Sequence, residues 1–111
     1  MHYDLIVYKN SYDLLLLLYN LSFNFSKEYK YSLGEKIKDE ALELLVDICR
    51  ANNCFENRLA NIKIALNRIE KITIYTRILK DLKQINLKKF AFLSEKIEVI
   101  NRQLISWRNK S

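Results

Sequence analysis

The 111-residue sequence contains no proline and a single glycine, Gly34. All-β architectures need a turn roughly every 8–12 residues, and one glycine does not supply them. Collagen-like and loop-rich folds fail on the same ground. Cysteine is scarce too: Cys49 and Cys54 lie so close in sequence that a disulfide between them would staple almost no chain. With His2 as the sole histidine, a cysteine–histidine metal site lacks ligands. We read both cysteines as free thiols, and the expected compartment is the cytoplasm. Long apolar runs are also missing. Leu14 to Leu18 falls well short of the about 20 apolar residues of a membrane span, so no membrane partner is expected. Asp13 precedes that run and no small-residue cleavage site follows it, which argues against a signal peptide. The chain is too short for a Rossmann enzyme or a TIM barrel.

What is present is apolar residues at helical spacing. Half of the chain is hydrophobic. The pattern predicts one all-α domain, residues 1–111, with helices at approximately 10–24, 32–52, 54–83 and 87–109. Asn10 or Ser11 is expected to cap the first helix. Ser32 with Glu35 forms a capping box for the second, and Asn53 with Glu56 repeats that spacing before the third. Asn86 caps the fourth, after a break at Lys83-Gln84-Ile85. Residues 24–31 make the longest connection. Leu33, Ile37, Ala41, Leu44, Ile48 and Ala51 form a stripe on the second helix. Ile62, Ala65, Ile69, Ile72, Thr76 and Leu79 do so on the third, and Phe90, Leu93, Ile97, Ile100, Leu104 and Trp107 on the fourth. Short connections between helices of similar length predict an antiparallel up-down-up-down four-helix bundle.

The apolar residues exceed what one such bundle needs. The first helix is apolar nearly all round, which buries a helix on more than one side, and Leu15 and Leu18 are assigned to contacts between copies. Ile64, Ile74 and Ile78 lie opposite the seam of the third helix and form an exposed patch unless a second chain covers them. Gly34 stands in the first turn of a helix, where it costs up to about 1 kcal/mol relative to alanine. A close approach by a neighbouring chain or helix accounts for it. These six residues are the expected contacts of a homo-oligomer.

The net charge of +6 is unevenly spread. Residues 1–54 hold six basic and eight acidic side chains, whereas residues 55–111 hold thirteen and five. A basic half suits a polyanionic partner, because Lys and Arg displace counterions from phosphates. Arg58, Lys63, Arg68, Lys71, Arg77, Lys80 and Lys83 on the third helix are candidate nucleic-acid contacts. Lys88, Lys89, Lys96, Arg102 and Arg108 on the fourth join them. No stacking or recognition-helix motif is evident, so binding should be electrostatic and weakly sequence-specific. Arg77, beside the seam, either pairs with Asp81 or faces a lumen or a phosphate. Asp39, Glu40, Glu43 and Asp47 read as a solvated face pairing with Lys36 and Lys38. A di-iron bundle needs Glu-x-x-His pairs that one histidine cannot build. No catalytic residue, metal ligand set or cofactor is expected.

Several motifs also resemble a known family. Tyr12-Asp13-Leu14, the run Phe25-Ser26-Lys27-Glu28-Tyr29-Lys30-Tyr31-x-Leu33-Gly34-Glu35-Lys36-Ile37, the set Tyr75, Arg77, Asp81 and Leu82, and the late Trp107 are similar to the accessory variability determinant (Avd) proteins of diversity-generating retroelements. They also resemble the wider four-helix-bundle group that includes the 23S ribosomal RNA intervening-sequence proteins. The resemblance spans about residues 10 to 108. Ser26 stands where the family usually has proline, and Ile105-Ser106 replaces a Gly-Gly pair. The ribosomal branch's Gly-Ser motif is absent, which favours the retroelement branch. The resemblance implies a homopentameric basic barrel, without catalytic activity, that binds a reverse transcriptase and template RNA or cDNA in mutagenic retrohoming. The alternative is an intervening-sequence-type or other structural, protein-interaction bundle with no retroelement role.

Overall fold

The structure is a computed structural model that describes the backbone of residues 3–111 and the side chains of residues 6–111. His2 lies outside the described residues. The regular structure among them is entirely helical: α1 (Tyr3–Ser22), α2 (Lys27–Lys30), α3 (Leu33–Asn53), α4 (Arg58–Asp81) and α5 (Leu87–Asn109). Each of the four long helices packs on two neighbours in the cyclic order α1, α3, α4, α5, while α2 rests on α3. The result is an all-helical, four-helix-bundle-like fold. At about 1.5 Å per residue, the 24 residues of α4 run most of the 43 Å long axis.

The stripes read from the sequence are the core. Ile62, Ala65, Ile69, Ile72, Thr76 and Leu79 of α4 are all buried. They meet Ile37, Ala41, Leu44, Ile48 and Ala51 of α3 and Leu93, Ile97, Ile100, Leu104 and Trp107 of α5 in one cluster. Leu33 and Phe90 lie at its margin, half-buried. Thr76 tolerates its place because its Oγ1 donates to the Ile72 carbonyl at 2.8 Å. Leu14, Leu15 and Leu18 complete the cluster from α1.

The helix boundaries differ from expectation in several places. α1 runs through Asn10 and Ser11, so neither caps it. Asn10 instead donates from Nδ2 to Gln103 Oε1 of α5 at 3.0 Å. Ser11 is fully buried on the core face, and its Oγ has no hydrogen-bond partner among the described residues. The connection at 24–31 contains α2, a short extra helix. The capping box at Ser32 does not form: its Oγ donates to the Glu28 carbonyl at 2.7 Å, and Glu35 pairs with Lys38 at 3.0 Å. Asn53 belongs to α3, and Asn57 holds the position before α4 without a side-chain cap. Asn86 does cap α5, its Oδ1 accepting from the Lys89 N–H at 2.8 Å. The predicted break after α4 is present and tight. Lys83 takes a left-handed φ of 61°, and the Gln84 N–H returns to the Leu79 carbonyl at 2.9 Å, closing the helix end without a glycine.

The glycine is needed elsewhere. A Cβ on Gly34 would stand 3.1 Å from the Tyr29 carbonyl oxygen and 3.3 Å from the Phe25 ring. Its close neighbour is thus the chain's own preceding segment. Leu15 and Leu18 are likewise spent inside the chain, 8% and 1% exposed. These three expected oligomer contacts are therefore corrected to core positions, because none retains surface to offer a partner. Ile64 and Ile74 remain 42% and 55% exposed, and Ile78 is half-buried. Among the described residues no helix is long and apolar enough to cross a membrane.

Candidate nucleic-acid interface

The cations of α4 and α5 divide by what they touch. Arg68 is a structural residue, not a surface one. Its Nε donates to Asp47 Oδ2 at 2.7 Å and its Nη1 to Glu40 Oε1 at 3.2 Å, tying α4 to α3. Lys71 approaches the other Glu40 oxygen at 3.7 Å. The acids of α3 are accordingly not one solvated face: Asp47 is 1% exposed and serves α4, and Lys38 pairs with Glu35. Burial pushes the Asp47 carboxyl above its ordinary value, and Arg68 pulling the other way offsets only part of that.

Arg58 is likewise occupied. Its guanidinium donates to the Ala51 carbonyl at 2.9 Å and the Asn52 carbonyl at 3.3 Å, satisfying the end of α3. It also lies over the Phe55 ring. Lys80 pairs with Asp81 at 3.6 Å and covers the Phe90 ring. Lys96 covers Phe92, Arg102 reaches Glu98 at 3.9 Å, and Arg108 donates to the Asn109 side chain at 3.4 Å.

Lys63, Arg77, Lys83, Lys88 and Lys89 form the second group. All five are exposed, and none of their side chains makes an ion pair or hydrogen bond with the described residues. Asp81 pairs with Lys80, so the expected Arg77–Asp81 pair is not formed. Arg77 instead borders a groove between α4 and α5 lined by Thr73, Ile74, Phe90, Ser94, Ile97 and Glu98. Lys88 and Lys89 occupy the first turn of α5, which has no acidic residue. Positive charge at the positive end of a helix dipole is unfavourable, by about 0.3–1 kcal/mol per group. An approaching anion relieves that cost.

Sequence reasoning missed one feature. The Ser26 N–H donates to Gln84 Oε1 at 2.7 Å, so the α1–α3 and α4–α5 connections meet at one end of the molecule. Lys27 and Lys30, counted with the near-neutral half, therefore join Lys83, Lys88 and Lys89. Phe23 and Tyr31 stand among them, 75% and 66% exposed. Counting charge by halves of the chain hid this grouping.

Cys49 and Cys54 are free thiols. Among the described residues no three of the His, Cys, Asp and Glu side chains converge on a site for a metal ion. No protein-family model and no curated protein matches this chain.

Proposed function

We propose that the protein is a non-catalytic nucleic-acid-binding accessory protein of the Avd-like kind. In this reading it contacts template RNA or cDNA, and a reverse transcriptase, through its basic surface in a diversity-generating retroelement. The observation that carries it is a set of five exposed cations from α4 to α5, Lys63, Arg77, Lys83, Lys88 and Lys89, whose side chains have no partner among the described residues. Glu40, Asp47, Asp81 and Glu98 each pair with another cation, so among the described residues none of the five has an internal ion-pair partner to compete with an external polyanion.

An up-down-up-down antiparallel order of the long helices belongs to this reading. The hydrogen bonds Ser26–Gln84 and Asn10–Gln103 support it, since they join α1 and its exit to the opposite ends of α5 and its entry. So does assembly into a homopentameric ring, for which the exposed Ile64 and Ile74 on α4 supply apolar surface. A ring would repeat the five cations around its axis.

The test is a titration of labelled RNA at two salt concentrations. Five phosphate contacts on a single strand predict a log K against log salt slope of about −3.5 per chain. No binding at low salt would remove the reading. Light scattering in parallel should return a multiple of 13.3 kDa.

A further inference from the structure

We infer that the end of the molecule where the two connections meet is a stacking platform for single-stranded nucleic acid, with Phe23 and Tyr31 as the base-stacking side chains. This rests on the nucleic-acid reading above and assigns it a place and a strand type. Phe23 and Tyr31 are 75% and 66% exposed, although burial of such rings is ordinarily favourable. The Lys30 ammonium lies 5.1 Å from the Phe23 ring centroid and still leaves three-quarters of that residue accessible. Lys27 directly follows Ser26 and Lys83 directly precedes Gln84, so the 2.7 Å hydrogen bond between Ser26 and Gln84 brings both lysines to this end. Lys88 follows at the start of α5.

Exposed rings interleaved with cations match what a single strand offers: an accessible base face at each nucleotide and a phosphate between bases. A duplex shows phosphates but keeps its base faces stacked inside, so it would use the lysines and leave the rings idle. An acidic protein would satisfy the lysines equally well, yet would offer no repeating flat surface to two rings held in the one connection between α1 and α3. The charge and the aromatic exposure together therefore favour a single strand.

The experiment uses the full chain and fluorescein-labelled RNA, a 20-nucleotide uridine oligomer and a 20-base-pair duplex, read by fluorescence anisotropy. The wild-type protein should bind the single strand more tightly than the duplex. Phe23→Ala with Tyr31→Ala should weaken single-strand binding about tenfold or more, leaving duplex affinity and the salt slope unchanged. Phe23→Trp with Tyr31→Trp should restore single-strand binding. Helicity of each variant by circular dichroism confirms that an altered affinity belongs to the site, since both residues lie outside the core. Wild-type single-strand affinity in the alanine variant, or an equal loss on the duplex, overturns the inference while the broader nucleic-acid reading stands. No binding of either RNA by the wild-type protein overturns both.

Discussion

Arg68 Nε lies 2.7 Å from Asp47 Oδ2, joining two helices through a carboxylate whose side chain is 2% exposed. Glu40 accepts from the same guanidinium, so one cation serves two acids of α3. Removing a partner from a buried pair leaves an uncompensated charge, which costs about 3–5 kcal/mol. Arg68→Met should therefore destabilise the protein by about 3 kcal/mol at pH 7, measured by urea unfolding. Asp47 adds a pH dependence. Its folded carboxyl titrates above the unfolded value of about 3.9, so its own contribution is fully present below that value and is lost as pH rises through the folded one. Once protonated, Asp47 needs no cation. The penalty of Arg68→Met should thus shrink as pH falls from 7 to below the unfolded carboxylate value, and an equal penalty at both ends would contradict the pair's role.

Gly34 makes a different kind of contact. A Cβ there meets the Tyr29 backbone oxygen at 3.1 Å and the buried Phe25 ring at 3.3 Å, and a backbone atom yields less readily than a side-chain tip. Gly34→Val adds two further methyl groups to that space. The expected cost is about 2 kcal/mol, a melting-temperature fall of roughly 8 °C for a chain of this size. An unchanged melting temperature would show that the 24–31 segment moves aside freely.

Two caps that look alike in the sequence should behave unlike each other. Asn86 Oδ1 accepts from Lys89 N–H, so Asn86→Ala should cost about 1 kcal/mol. Ser32 makes no such bond at the start of α3, its hydroxyl donating backward to Glu28. Ser32→Ala should therefore cost distinctly less. Thermal unfolding of the two variants decides this, and equal losses would mean that Ser32 acts as a cap in solution.

Ser11 points the opposite way. Its hydroxyl is fully buried without a partner among the described residues, and such a group carries a desolvation penalty of about 1–3 kcal/mol. Ser11→Ala should stabilise the protein by about 1 kcal/mol, and a lower melting temperature would show that the hydroxyl has found a partner.

Ser11 also shows where sequence reading stopped. A polar pair ahead of a leucine run has the appearance of a helix start, but Asn10 is polar because Gln103 faces it across the bundle, and helix α1 simply continues through. Cross-helix partners separated by 93 residues leave no local signature. The core stripes were legible because burial repeats with the helix itself, as in Ile62, Ala65, Ile69, Ile72, Thr76 and Leu79. Of the candidate site, cation identity was legible and availability was not. Arg68 and Lys63 look equivalent in sequence, and only the position of Asp47 on the facing helix separates a structural arginine from an exposed lysine.

That separation is measurable on α5. Lys88 and Lys89 sit in a first turn that lacks any acid, at the positive end of the helix dipole. Replacing both by glutamate should raise helix stability by a few tenths of a kcal/mol to about 1 kcal/mol per residue, because negative charge is favoured there. The same double substitution should weaken RNA binding about tenfold or more at low salt and reduce the salt slope by about 1.4 units. Arg102, already within 3.9 Å of Glu98, serves as the comparison, and Arg102→Gln should change affinity less than about twofold. A variant that melts higher yet binds more weakly separates lost contact from lost structure. Equal effects of the α5 double substitution and Arg102→Gln would instead mean that RNA responds only to total charge, and the five unpaired cations would lose their special standing.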